Sequence, residues 1–356
     1  MEAWSVVFFL LGLLLLLGGA ELLVRGSSRL AAALGISPLI IGLTVVAFGT
    51  SSPELAVSMR GAWTGHADLS VGNVLGSNIF NVLFILGLSA LIVPLKVDQR
   101  LVRIDVPLMT GASLLLLVMA WDGRLGRLEG GILSSGLLAY IAFAVWQSRR
   151  ESKKVKAEYA QQFGPPPPTA SGALLQIAVA AVGLLLLLVG AQWLLDGSIR
   201  IARWAGLSEL TIGLTIIAAG TSLPEVATSL IAALRGERDI AVGNVVGSNL
   251  FNLLGVLGPT AVLAPGGLQV APSALLLDLP FVVATALVCT PIFLTAWQID
   301  RWEGGALLLL YLAYVAALLA SDGDASNLGY VRYLLIAAPA LLAGASLAPS
   351  VRARRR

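Results

Sequence analysis

The segments GLTVVAFGTSSPELAVS (42–58) and GLTIIAAGTSLPEVATS (213–229) lie 171 residues apart in the chain and are identical at 11 of 17 positions. A second pair of segments, GNVLGSNIFNVLFILGL (72–88) and GNVVGSNLFNLLGVLGP (243–259), keeps the same offset and also matches at 11 of 17 positions. Two separate motifs that keep one constant offset indicate an internal duplication of the chain.

The composition predicts an all-α polytopic membrane protein. Of the 356 residues, 57% are hydrophobic and only 12% are charged, whereas soluble domains carry about 25% charged residues. Several apolar runs reach about 20 residues, which is the length that crosses the hydrocarbon core of a bilayer. The predicted spans are residues 4–24, 38–60, 70–93, 104–121, 128–147, 173–195, 209–234, 240–263, 274–297, 302–320 and 330–348.

The duplication predicts two repeats of opposite orientation. Each copy contains five predicted spans, an odd number, so the second copy enters the membrane from the opposite side. Such an inverted-topology repeat is typical of secondary transporters. The predicted parts are a first repeat over 1–148, a charged and proline-rich cytoplasmic linker over 149–172, a second repeat over 173–320, and an eleventh span with a basic tail over 321–356.

A proline and a glutamate stand side by side within the second predicted span, as Pro53 and Glu54. Proline has no N–H for the carbonyl four residues earlier, here Gly49, so we expect the helix to break and to release carbonyl oxygens. Unpaired carbonyls at membrane depth are tolerated only where protein or a polar cavity surrounds them. Pro224 and Gly220 repeat this arrangement in the second copy.

The two glutamates of these motifs, Glu54 and Glu225, need a counter-charge. A carboxylate at membrane depth is costly unless it is paired, and it usually marks an ion or proton pathway. The cores of spans 2, 3, 7 and 8 contain no Lys or Arg, so a bound cation is the natural partner. The motifs surround the carboxylates with hydroxyl and amide oxygens, which belong to Thr50, Ser51, Ser77 and Asn81 in the first copy and to Thr221, Ser222, Ser248 and Asn252 in the second.

These groups are all hard oxygen ligands, of the kind that Ca²⁺ binds. Two carboxylates carry a charge of −2, which one Ca²⁺ or two Na⁺ balance, and this gives a physical basis for competition between the two ions. His66 is the single histidine and Cys289 the single cysteine, which argues against a zinc, copper or haem site.

At these residues the chain resembles the cation/Ca²⁺ exchanger superfamily, and specifically the prokaryotic Na⁺/Ca²⁺ exchangers. The resemblance rests on GLTVVAFGTSSPE with GNVLGSNIFN and on GLTIIAAGTSLPE with GNVVGSNLFN, and in architecture it extends over residues 1–320. It implies that Glu54 and Glu225 are shared ligands, that the hydroxyls and Asn81 belong to the site, and that the carbonyls of Ala47 and Ala218 contact Na⁺. The position of Asn252 is an aspartate in some relatives and is neutral here.

The expected function is electrogenic Na⁺/Ca²⁺ antiport by alternating access, with both ions competing for an oxygen-ligand site at the membrane midplane. An H⁺/Ca²⁺ antiporter with the same carboxylates as proton carriers stays open, and so does a cation channel, which broken helices in inverted repeats favour less. The sequence shows no nucleophile–base set and no nucleotide-binding loop, so we expect no enzyme activity and no cofactor. The predicted partners are the transported Ca²⁺ and Na⁺ and the lipid bilayer, with no nucleic acid and no protein partner.

The distribution of Lys and Arg predicts the orientation in the cell (inner or plasma) membrane. With eleven spans and the N-terminus outside, 17 of the 23 basic residues lie inside and 6 outside; with ten spans the split is 13 to 10. Cytoplasmic loops are enriched in Lys and Arg, so the count favours an outside N-terminus, a real eleventh span and a cytoplasmic C-terminus.

A tag placed after Arg356 tests this orientation. We expect the tag to be protected from membrane-impermeant reagents in intact cells, and to react once the cells are permeabilised. Labelling of intact cells would show that residues 330–348 do not cross the membrane.

Overall fold

A computed structural model describes residues 3–34, 36–65, 67–163, 170–205, 218–295, 297–321 and 328–348. The described chain is almost entirely helical. Eight of its helices are long and apolar enough to cross a membrane, or nine when the bent pair Pro38–Thr50 and Ser52–Trp63 counts as one span. The chain divides into two compact units, and both repeats contribute to each of them: a first unit of Met1–Pro53 with Ala139–Gly247, and a second unit of Glu54–Leu138 with Ser248–Arg356.

The helices are numbered in chain order, and several consist of consecutive segments. The first repeat contains α1 (Ala3–Leu34), α2 (Pro38–Ile41, Gly42–Val46 and Ala47–Thr50), α3 (Ser52–Trp63), α4 (Ala67–Ile79, Phe80–Leu86 and Gly87–Ile92), α5 (Leu101–Asp105 and Val106–Met119) and α6 (Arg127–Phe163). The second contains α7 (Ala170–Trp204), α8 (Ala218–Gly220), α9 (Leu223–Leu234), α10 (Arg238–Leu250, Phe251–Val256 and Leu257–Leu263), α11 (Ala274–Asp278 and Leu279–Leu294) and α12 (Arg301–Ala320), and α13 (Val331–Leu347) follows.

The duplication is visible in the local helix geometry. A π-helical segment, Phe80–Leu86, interrupts α4 directly after its GN-x-x-GSN motif, and Phe251–Val256 interrupts α10 at the equivalent point. A further π-helical segment opens α5 and another opens α11. Such π-bulges are rare and occur frequently at functional sites, so their recurrence supports an equivalent role for the two motif helices.

The break predicted at Pro53 is present. The axes of α2 and α3 are bent by 44°, and Ser51 between them has φ −84° and ψ 8°. Because Pro53 has no N–H to donate, the carbonyl of Gly49 accepts a hydrogen bond from Ser52 Oγ at 2.8 Å instead. The second copy breaks in the same way, since Ser222 has φ −92° and ψ 9°. The residues before and after Ser51, and those before and after Ser222, therefore do not share one continuous helical face.

Three helices continue well past their predicted ends, and one of them is α7, which ends at Trp204 instead of residue 195. α1 extends to Leu34, and its polar second half is held by an ion pair of 2.7 Å between Glu21 and Arg235. α6 continues through the charged part of the predicted linker to Phe163, which is consistent with the high helix propensity of Lys, Glu and Ala. Residues 164–169, which contain the proline run, lie outside the described residues.

Two of the predicted spans are not confirmed as complete spans. Residues 209–217 of the seventh lie outside the described part of the chain, and α8 and α9 follow them. The predicted eleventh span forms the helix α13 of 17 residues. At 1.5 Å per residue it is about 26 Å long, slightly less than the bilayer core of about 30 Å, so its crossing of the membrane stays a prediction.

Within the first unit, α1 and α7 pack along their length through glycines spaced seven residues apart. A Cβ added to Gly19 would lie 2.3 Å from Leu187 N, and one added to Gly190 would lie 2.3 Å from Leu16 N. Small residues allow this close approach of two backbones in a membrane. The glycines of this seam are Gly12, Gly19 and Gly26 on α1 and Gly183, Gly190 and Gly197 on α7.

Within the second unit, the two repeats contact each other both through pairs of loops and through pairs of helices. β1 (Leu95–Lys96) pairs antiparallel with β4 (Gln298–Ile299), and β2 (Arg124–Leu125) pairs antiparallel with β3 (Leu268–Gln269). Each two-stranded ladder therefore links a loop of the first repeat to a loop of the second. Glycine contacts between α4 and α12 and between α6 and α10 add further close approaches inside this unit.

The seam between α1 and α7 predicts different outcomes for two adjacent glycines. Gly19→Ala is expected to lower the thermal stability of the purified protein, at a cost of about 1–3 kcal/mol, because its methyl group forces the backbones apart. Gly18 has no described atom within 4 Å of its Cβ position, so Gly18→Ala should leave the stability unchanged or slightly higher. Melting temperatures in detergent measure both, and equal losses for the two variants would contradict the seam.

Candidate functional site

The predicted ligands divide between the two compact units, and the ligands that lie in one unit are here called a cluster. Glu54 and Glu225 are fully buried, and Thr221 is half-buried. The first cluster consists of Ala47, Thr50, Ser51, Ala218, Thr221, Ser222 and Glu225, and the second of Glu54, Ser77, Asn81, Ser248 and Asn252. Each cluster combines residues of both repeats, so neither repeat supplies a cluster by itself.

In the first cluster, a hydrogen bond joins a serine at the helix break of the first repeat to the carboxylate of the second repeat. Ser51 Oγ donates to Glu225 Oε1 at 2.9 Å. Glu225 lies in the first turn of α9, directly after Pro224, and a carboxylate in a first turn is stabilised by the N-terminal end of the helix. A hydroxyl donor strengthens this further, because hydrogen bonds to ionised acceptors are stronger than neutral ones.

Asn244 on α10 fixes the surroundings of this carboxylate. Its Nδ2 donates to Ser229 Oγ at 2.9 Å and to the backbone carbonyl of Glu225 at 3.5 Å. Its Oδ1 accepts from Thr50 Oγ1 at 3.2 Å. One fully buried amide thus joins α9, α10 and the end of α2.

The second cluster repeats the asparagine contacts around Glu54, but here the serine that bonds to the carboxylate belongs to the same repeat as the glutamate. Asn73 Nδ2 donates to Ser58 Oγ at 3.1 Å and to the carbonyl of Glu54 at 3.3 Å. Ser77 Oγ donates to Glu54 Oε1 at 3.3 Å. Asn73 and Ser58 are the counterparts of Asn244 and Ser229 at the 171-residue offset. The duplication therefore extends from sequence to individual side-chain hydrogen bonds.

The amides at the predicted ligand positions have one satisfied end and one unsatisfied end. Asn81 Nδ2 donates to Asn249 Oδ1, and Asn252 Nδ2 donates to Asn78 Oδ1, both at 3.1 Å. Within the described residues, the Oδ1 atoms of Asn81 and Asn252 and the Oγ1 atom of Thr221 are buried without a hydrogen-bond partner. A buried acceptor without a partner is costly, and a bound cation would offset this cost.

Three of the remaining predicted residues lie at or shortly before the helix breaks, and the fourth lies on α10. Ser222 is buried at the break that precedes α9, and Ser248 is buried on α10. The carbonyl of Ala47 accepts from Ser51 N at 3.0 Å and from Thr50 Oγ1 at 3.4 Å. Ala218 begins α8 directly before the second break.

Three pairs of polar residues that organise both clusters were not among the predicted site residues. The sequence carries a signal for them, because each pair is identical in the two copies at the offset of 171. Their role differs from that of an ion ligand, since they bond to the predicted ligands and to the backbone around them. The pairs are Ser58 and Ser229, Asn73 and Asn244, and Asn78 and Asn249.

Comparison with known proteins identifies the family. A family model described as "Sodium/calcium exchanger protein" matches residues 4–148 and 175–320. The chain belongs to this family. Within it, the chain is 39% identical over 320 residues to the putative antiporter CaxA of Alkalimonas amylolytica, which covers 89% of this chain and 99% of the relative. It is 32% identical to the sodium/calcium exchanger MaX1 of Methanosarcina acetivorans, with 88% and 98% coverage.

A solved structure supports the same assignment. The sodium/calcium exchanger from Methanococcus jannaschii matches with a TM-score of 0.77 and 31% sequence identity, over 89% of this chain and 99% of that one. This likeness and the family match confirm the predicted fold of two inverted five-helix repeats, and they confirm that this exchanger-family chain is a membrane protein. A family of transporters is also consistent with the prediction that the chain is not an enzyme.

Proposed function

We propose that this member of the exchanger family is an electrogenic Na⁺/Ca²⁺ antiporter that works by alternating access. Glu54 and Glu225 are its charged ligands, and the hydroxyl, amide and carbonyl oxygens of the two clusters complete the coordination of Ca²⁺ and Na⁺. The observation that carries the proposal is the full burial of both carboxylates, each of which accepts a hydrogen bond from a serine of the motifs.

The charge of the ligands supports exchange of these two ions. The predicted site residues contain two carboxylates and otherwise only neutral oxygen donors. One Ca²⁺ neutralises two carboxylates, and so do two Na⁺, while a protein interior penalises any charge that stays unbalanced. Exchange of these two loads alone would move no net charge, so the proposed electrogenic exchange requires at least one further Na⁺ per Ca²⁺, held by the neutral oxygen donors. Either ion therefore satisfies the ligands only when the other has left. This mutual exclusion is what obligatory exchange requires.

The helix breaks support alternating access. In secondary transporters with inverted repeats, discontinuous helices supply the ion ligands, and access alternates as one part moves against another. Here each break stands three residues before a glutamate, at Ser51 and Glu54 and at Ser222 and Glu225. The proposal includes an outside N-terminus, a cytoplasmic C-terminus and the linker over 149–172.

Replacement of either glutamate by glutamine tests the assignment of the ligands. Glu54→Gln and Glu225→Gln are each expected to abolish Na⁺-driven ⁴⁵Ca²⁺ uptake into proteoliposomes, because a single remaining carboxylate cannot neutralise Ca²⁺. The matched control is Glu129→Gln in the first turn of α6, where the side chain binds Gly126 N at 2.9 Å. Uptake should persist in this control. Near-normal uptake by either ligand variant would refute the assignment.

The coupling ion is tested with one gradient at a time. Wild-type protein in Na⁺-loaded vesicles should accumulate ⁴⁵Ca²⁺ at uniform pH, and a pH gradient without Na⁺ should drive no uptake. An imposed membrane potential should change the rate of the Na⁺-driven exchange, because electrogenic exchange moves net charge. Uptake driven by the pH gradient alone would instead identify an H⁺/Ca²⁺ antiporter, and Ca²⁺ flux without a counter-ion would identify a channel.

A further inference from the structure

Four asparagines of the second unit form a symmetric network of hydrogen bonds, which is here called the asparagine tetrad. Its members are Asn78, Asn81, Asn249 and Asn252. Asn78 Nδ2 donates to the backbone carbonyl of Asn249 at 3.3 Å, and Asn249 Nδ2 donates to the backbone carbonyl of Asn78 at 3.4 Å. All four side chains are at least 97% buried. The two repeats contribute equally, since each residue of one copy has its counterpart 171 positions away.

The two backbone carbonyls determine which way every amide in the tetrad points. A carbonyl can only accept, so the NH₂ groups of Asn78 and Asn249 must face these carbonyls. The Oδ1 atoms of Asn78 and Asn249 therefore point away, toward the neighbouring amides. There they accept from Asn252 Nδ2 and Asn81 Nδ2, each at 3.1 Å.

This chain of hydrogen bonds leaves one amide oxygen at each end that can accept from, or coordinate, a ligand. The NH₂ groups of Asn81 and Asn252 are engaged inside the tetrad, and their Oδ1 atoms are the buried acceptors that have no partner among the described residues. A rotation of either amide by 180° would place oxygen against oxygen and would lose the bond to the tetrad. The tetrad thus holds both amides with the carbonyl end available.

We propose that Asn78 and Asn249 are positioning residues that force Asn252 and Asn81 to offer an oxygen, and never an NH₂ group, to the transported cation. The inference rests on the proposed function, because it assigns an orientation to two of its ligands. The partners of a metal ligand that fix its orientation typically contribute 10–100-fold to metal affinity. Loss of Asn78 lets the amide of Asn252 rotate, and loss of Asn249 does the same for Asn81.

A double-mutant cycle on Ca²⁺ affinity tests the proposal. Calorimetric titration of Ca²⁺ into purified, Na⁺-free protein should show a Kd about 10-fold higher for Asn78→Ala than for wild type. Asn252→Ala removes the ligand itself and should also weaken binding. The double variant should bind no more weakly than Asn252→Ala, because Asn78 acts on the ion only through Asn252. Asn249→Ala with Asn81→Ala should behave in the same way.

Thr285→Val is the matched control, because it removes a buried hydroxyl of the same unit whose one hydrogen bond among the described residues is to Val282 O of its own helix, at 2.9 Å. Its Kd should equal that of wild type. If an alanine variant does not fold, the corresponding serine variant, Asn78→Ser or Asn249→Ser, takes its place in the cycle. Serine shortens the side chain and keeps a hydroxyl group. An unchanged Kd in the single variants, or losses that multiply in the double variant, would overturn the positioning role. Absence of Ca²⁺ binding in the wild type would instead refute the proposed function.

Discussion

The cost of burying Glu54 and Glu225 is the constraint on which the rest of this structure depends. Moving one carboxylate from water into a low-dielectric interior costs several kcal/mol even after relaxation, and serine hydroxyls at 2.9 and 3.3 Å offset only part of this cost. Among the described residues, the buried Oδ1 atoms of Asn81 and Asn252 have no hydrogen-bond partner, and such costly acceptors would favour a site with a bound cation over an empty one.

The local backbone serves the same requirement. A regular helix uses all its own carbonyls and directs its hydroxyls outward, so it has little to offer an ion. The proline at 53 ends this regularity where Ser51 and Glu54 stand, and the proline at 224 does so in the second copy. A break of this kind removes helix hydrogen bonds, so the surrounding helices must pack closely to hold the two segments in position. The glycine seam between α1 and α7 and the glycine contacts of the second unit supply close-packed helix pairs of this kind.

Much of this architecture was predictable from the sequence because duplication repeats each signal. The breaks, the spans and the candidate ligands all appear in both motif copies at one offset. The extension of α6 to Phe163 was not predicted, because hydropathy reports the burial of a segment in lipid, whereas helix formation in its charged part depends on propensity. The asparagine tetrad was not predicted either. Which amide meets which carbonyl depends on how α4 and α10 pack, and spacing along the chain does not determine this.

The symmetry of the asparagine tetrad also bears on ancestry. Asn78 and Asn249 each donate to the backbone of the other, so the contact is self-complementary, as in the isologous interface of a homodimer. Two identical five-span chains inserted in opposite orientations would make the same pair of bonds without any change of residue. The tetrad is thus compatible with an ancestor that worked as an antiparallel homodimer before its gene was duplicated and fused. In such a history the two halves would be free to diverge elsewhere, as Glu21 and its counterpart Gln192 differ, while self-complementarity would restrain the paired amides to change together.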